Sequence, residues 1–197
     1  MRKKKGNFFA RQYSESWNYV KESRKFIFAI IGIFLFFAII GIIFPAPDYL
    51  REYIRKFIEE LLQKTEGMNQ FQLTEFIFWN NFQSSITSMI FGAVLGFFPV
   101  FSAIANGYLL GFVAFMSVSS ENIFVLWRLF PHGIFELPAV FISLGLGLKF
   151  GSFIFQKNKG DSFRDYLWNS IKVFVFIVTP LLIVAAMIEG SLIYWMN

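Results

Sequence analysis

His132 and Glu136 are the residues of this chain best suited to chemistry. They stand four apart in Pro131-His132-Gly133-Ile134-Phe135-Glu136-Leu137-Pro138, and His132 is the one histidine present. On a helix that spacing puts both on one face. There an imidazole and a carboxylate can hydrogen-bond, pass a proton or supply two metal ligands. Apolar sequence flanks the block on both sides. An acid at the centre of a membrane-crossing helix costs roughly 2.5–3.5 kcal/mol on insertion scales, so such a pair is kept for a reason, structural or functional. Asn80, Asn81, Asn106 and Glu189 are further polar residues in apolar stretches, and their spans can converge with His132 and Glu136 on one outward-facing cluster.

Three chemistries compete for these residues. In a structural role, Glu136 accepts from His132, Asn80 or Asn81 and holds helices together. In a second, the His/Glu pair handles protons or ions, as intramembrane ionisable groups beside Pro- and Gly-interrupted helices do in transporters. In a third, the pair binds a catalytic metal, with Glu189 as the third ligand such a site usually needs. HExxH, GxSxG and a phosphate-binding Gly-rich loop are all absent, and there is no cysteine. No catalytic residue, metal site or cofactor is therefore assigned, and the expectation is a non-enzymatic protein.

The elements that must carry these residues are membrane helices. Of 197 residues, 56% are hydrophobic and 29 are Phe, which bounds the chain to an all-α integral membrane bundle. About five transmembrane helices are expected, near 26–44, 75–98, 104–118, 131–155 and 170–195, within a membrane domain at 26–197. Residues 1–25 form a basic N-terminal segment with eight of the 18 cationic side chains. After the first span, Pro45-Ala46-Pro47 stops the helix. An amphipathic interfacial helix follows over 48–64, with Asp48 as its cap and an apolar stripe from Tyr49 to Leu62. Thr74 is the expected cap of span two, and Pro99 its breaker. Ile123–Phe130 is a short apolar segment before span four, which starts at Pro131, where a missing N–H costs nothing. Pro138 is expected to weaken or kink that helix. Residues 156–169 read as a polar loop.

Small residues recur four apart: Ser84, Ser88, Gly92 and Gly96 in span two, Gly107 and Gly111 in span three, Gly147 and Gly151 in span four. Gly133 adds a further point of close approach. Such stripes let backbones approach. They are expected to pack spans two, three and four together, with a homo-oligomer seam as the alternative. The basic residues lie before span one and between spans four and five, including Lys149 and Lys172, which are expected to snorkel to that face. The segment at 45–80 is acidic, with four bases and six acids. This places the N-terminus in the cytoplasm and the C-terminus outside, in the cell membrane.

Asn80-Asn81, Gly92/Gly96, Asn106-Gly107 with Gly111, PHGIFELPA at 131–139, Gly145/Gly147 and AAMIEG at 185–190 occur in that order. With these the chain resembles the stage II sporulation protein M family of multi-pass membrane proteins, over about residues 26–195. The HGxxELPA block is the specific part, and the first 25 residues carry no family motif. The resemblance implies a bundle of about five helices. It also implies, for members in spore formers, a membrane scaffold for a complex with peptidoglycan-degrading enzymes. Relatives occur in organisms that do not sporulate, so it is no evidence for sporulation here. Two readings follow: a scaffold anchoring envelope or cell-wall-remodelling partners (cell-wall hydrolases in a spore former), or a small transporter or channel with a protonatable His132/Glu136 site. A metal-dependent membrane enzyme is third. The lipid bilayer is the one certain partner, and nucleic acid is not one.

Overall fold

The computed structural model describes residues 8–44, 46–119 and 123–196, apart from the side chains at 57–58, 61–62, 117–119, 123–135 and 196. Every element described is helical. In chain order they are α1 (Phe8–Glu22), α2 (Arg24–Ile43), α3 (Asp48–Thr65), α4 (Gln70–Phe91), α5 (Phe97–Ser119), α6 (Ile123–Gly151), α7 (Lys159–Val173) and α8 (Thr179–Met196). A 3-10 turn at Ser152–Phe155 follows α6, and a π turn at Phe174–Val178 runs α7 into α8. Four stretches are long and apolar enough to cross a membrane: Arg24–Ile43, Phe97–Met116, Glu136–Phe155 and Lys159–Trp195. The chain is an all-helical membrane protein.

Backbone contacts fix how the helices run. A Cβ on Gly107 would meet the Phe34 carbonyl, and one on Gly111 the Ala38 carbonyl, so α2 and α5 rise in parallel. Gly145 lies against Ile27, so α6 descends beside α2. Ser85 accepts from Ser143 at 2.7 Å through its carbonyl, and further along Gly92 meets Gly147 and Gly96 meets Gly151. α4 thus descends with α6. α8 climbs back, since Phe82 in the middle of α4 packs on Phe174 and Gln70 at its start donates to Ser191. α6 stands in the middle, touching α2, α4, α5 and α8. The bundle has a basic end, marked by Arg24, Lys149 and Lys172, and a far end, where α3, the start of α4 and the end of α8 lie.

α4 covers the whole height between those ends. Its 22 residues span about 33 Å. Yet it is not among the stretches apolar enough to cross by composition. Asn69, not Thr74, caps it: the Asn69 side chain accepts from the Gln72 N–H at 3.0 Å, and the Gln72 side chain accepts from the Asn69 N–H at 3.0 Å. That is a complete capping box. The helix ends at Phe91 rather than near Phe98, because Gly92–Gly96 form the turn into α5, with Leu95 at φ 56° and Gly96 at φ 70°. The left-handed region suits Gly96 and costs Leu95 roughly 1–2 kcal/mol. Pro99 then lies in the first turn of α5, where its missing N–H is harmless. It starts span three instead of ending span two.

Two more expectations are corrected, and the N-terminal segment gains an element. α6 is helical from Ile123, so Pro131 lies inside it rather than at its start, and Pro138 lies inside it too. The supposed loop at 156–169 is largely α7, with Asp161 in its first turn and Lys172 in its last, favourable placements against the helix dipole. The N-terminal segment carries α1, joined to α2 through Ser23, whose backbone stays right-handed helical.

Candidate functional site

Glu136 and Ser143 are seven apart on α6, two turns on one face. Ser143 is bonded to Ser85 of α4, and Asn81 lies one turn from Ser85 on that helix. Counted back in parallel register, Glu136 is level with Phe78 of α4, about one turn nearer the far end than Asn81. Glu136 and Asn81 are both half-buried. Asn80, the next residue, is exposed and donates to the Asn81 side-chain oxygen at 3.4 Å. Glu189 is 3% exposed on α8. Its neighbour Gly190 touches Thr74 in the first turns of α4, which places Glu189 at the far end, as expected.

Asn106 sits on the third side. Pro99 touches Gly147 where α5 passes α6. Since the two helices run in opposite directions, Asn106 is level with Val140, one turn toward the basic end from Glu136. Its amide is exposed and turned back on its own helix, donating to the Ser102 carbonyl at 2.8 Å and hydroxyl at 3.2 Å. The half-buried Asn81 and the exposed Asn106 thus lie at about one depth, roughly one turn from Glu136 of α6, while Asn80 is exposed. His132 belongs to α6, one turn before Glu136; its side chain, and Gly133, lie outside the described residues. Among the described residues no three His, Asp or Glu side chains gather to hold a metal ion.

The small residues pack, but not all where expected. Gly147 and Gly151 do meet Gly92 and Gly96, joining spans two and four, and Ser88 presents its carbonyl to Gly147. Gly107 and Gly111 pack instead on α2, against Phe34 and Ala38, with Gly41 of α2 closing on Tyr108 and Phe112. Ser84 is exposed.

A second polar centre at the basic end escapes sequence reasoning. Lys149 does not snorkel outward. It is 8% exposed, and its Nζ lies 3.7 Å from the centre of the Tyr19 ring and 5.5 Å from that of Tyr166. It donates to the Ser23 hydroxyl at 3.1 Å, and that hydroxyl donates to the Tyr19 carbonyl at 2.7 Å. Cation–π contact and a hydrogen bond replace its water. Burial lifts the Tyr19 phenol well above its ordinary pKa of 10.0. The lone lysine is visible in sequence. Its closest partners, Ser23 and Tyr19, lie 126 residues away or more, and no local pattern points to them.

The model of the family described as Stage II sporulation protein M matches residues 30–192. A similar protein is Uncharacterized protein MJ0706 of Methanocaldococcus jannaschii, 28% identical over 123 residues, which are 59% of this chain and 54% of that protein. The chain thus spans about half the length of the relative it matches. No solved structure matches.

Proposed function

Because this chain belongs to the stage II sporulation protein M family, we propose that it is a non-enzymatic membrane scaffold, anchoring partner proteins of an envelope or cell-wall-remodelling complex. The observation that carries this reading is α3. This amphipathic helix is held at the far end by Ala46, Leu50 and Ile54, which pack on Tyr108, Leu109, Phe112 and Met116 of α5. Tyr49 and Tyr53 remain 77% and 69% exposed. Beside them, charged side chains are held in order by the pairs Lys56–Glu52 at 3.1 Å and Arg55–Glu59 at 3.5 Å. An exposed aromatic-and-charged surface on a bundle is what a docking platform presents. In the cell this end faces outward and the basic end faces the cytoplasm.

A second reading, a small transporter with a protonatable site, is favoured by Glu189, a carboxyl buried inside the bundle at the end where Glu136 lies. One experiment separates them. Tagged full-length protein is purified from its own membranes with partners attached, then reconstituted in vesicles. A scaffold retains its partners in Glu136→Gln, loses at least tenfold in Tyr49→Ala/Tyr53→Ala, and moves no ions at any pH. Should Glu136→Gln keep every partner but abolish a pH-dependent flux, the scaffold reading is lost.

A further inference from the structure

We infer that the outward face of α4 is the seam by which two copies of this chain associate within the membrane. The argument begins with the small-residue stripes, because they are already occupied. Gly107 and Gly111 are closed by α2, and Gly147 and Gly151 by the end of α4 and its turn. What the bundle leaves open is different in kind. Asn80, Gln83, Ser84 and Thr87 are exposed along the middle and lower half of a helix that runs from the far end to the basic end. Lipid tails offer these amides and hydroxyls no hydrogen-bond partner, so a face built from them needs a polar cover.

The spacing indicates a helix as the cover. Phe76, Asn80, Gln83, Thr87 and Ile90 follow one another at intervals of four, three, four and three. That is the 3.5-residue repeat of a left-handed helix pair, and all but the half-buried Phe76 are exposed. A groove of about 460 Å³ runs along the same face from Met68 to Gln83, with Glu75 as its one charged lining residue, toward the far end. The apolar Phe76 and Ile90 within the row favour dry packing over a water-filled path. The chain also carries no charged residue from 76 to 120.

The chemistry indicates that the covering helix is α4 of a second copy. Asn, Gln, Ser and Thr each both donate and accept, so a row of them is its own complement. Copies inserted in one membrane share one orientation. A two-fold axis along the membrane normal therefore brings Asn80 to Asn80 and Gln83 to Gln83 at equal depth. Interhelical bonds of this type hold membrane helices together.

The absence of cysteine makes the test direct. Full-length protein with a single Gln83→Cys, Thr87→Cys or Ile90→Cys is oxidised in its native membranes with copper phenanthroline. Leu35→Cys, Phe101→Cys and Ile183→Cys, exposed on other helices, serve as controls. The seam cysteines are expected to give a disulfide-linked product of twice the chain mass, and the controls none. Asn80→Leu/Gln83→Leu, which keeps the fold intact by leaving the buried face untouched, is expected to weaken self-association in bilayers at least tenfold. Cross-linking no stronger at the seam than at the controls overturns the inference. So does linkage at the seam to a different membrane protein, and so does labelling of the seam by a membrane-impermeant maleimide without cross-linking, which shows a water-lined face.

Discussion

Single residues show where polar groups become tolerable in a membrane chain. Glu136, Asn80 and Asn81 stand out as an unusual concentration of polarity in apolar sequence, and the α4–α6 register leaves Glu136 about one turn nearer the far end than Asn81. Lys149 shows the reverse, since its charge was visible and its setting was not: the Tyr19 ring reaches it only because α1 and α6 meet at the basic end. Tyr19 carries a pH dependence of its own. Burial holds the phenol protonated in the fold at pH values where an unfolded tyrosine, with a pKa near 10, has ionised. Below pH 10 the two states hold the same proton and stability is unaffected. Above it the unfolded chain gains, so stability is lost as pH rises through the folded value. By pH 11 this amounts to about 1.4 kcal/mol. Thermal or chemical unfolding in detergent at pH 8 and pH 11 is expected to show an alkaline loss smaller by that amount in Tyr19→Phe. An unchanged loss means that Tyr19 is not held neutral by burial.

Among the elements, legibility followed apolarity. The uncharged run at 26–44 predicts α2 within about two residues, because nothing in it competes with a spanning helix. Charged amphipathic stretches are harder to read: α7 mixes Lys, Arg and Asp with aromatics and reads as a loop until it packs on α1, where Lys172 meets Glu15 at 3.2 Å. The α4–α5 turn was missed for a different reason. Gly-Ala-Val-Leu-Gly is as apolar as the helices it joins, so Pro99 drew the boundary instead. The glycine stripes were visible as surfaces of close approach, but a stripe does not name its partner. The α2–α5 pair allows a sharp comparison. A side chain at Gly111 collides with the Ala38 backbone, whereas nothing lies within 4 Å of a Cβ at Gly32. Gly111→Leu is expected to cost about 3 kcal/mol or more, since backbone cannot yield as a side chain does. Gly32→Leu is expected to be neutral or stabilising by up to about 1 kcal/mol, through helix propensity. Melting of the two variants in one detergent measures the difference, and equal effects would show that α2 and α5 do not touch along this stripe.

For the whole molecule the decisive quantity is the number of crossings, and it rests on α4. Four stretches qualify as spans by composition, and four crossings would return the chain to the side where it began. On the topology proposed above α4 makes a fifth, which is supported by its first turns lying beside Gly190 and Ser191 and its last beside Gly147. An odd number puts α1 and α7 on one side and α3 and the end of α8 on the other. On the same proposal the cations at the basic end put that side in the cytoplasm. A polar α4 can hold this place because α6 and α8 bury one of its faces, with Leu73, Ile77, Ser85 and Met89 inside. Hydropathy, which averages a helix over all its faces, cannot register that protection. Single cysteines at Gly67, Ser162 and Tyr194, treated in intact cells with a membrane-impermeant maleimide, test the count. Gly67→Cys and Tyr194→Cys are expected to label from outside, and Ser162→Cys only after permeabilisation. Labelling of Gly67→Cys and Ser162→Cys from the same side would remove α4 from the membrane. The self-association seam, which depends on lipid around that helix, would go with it.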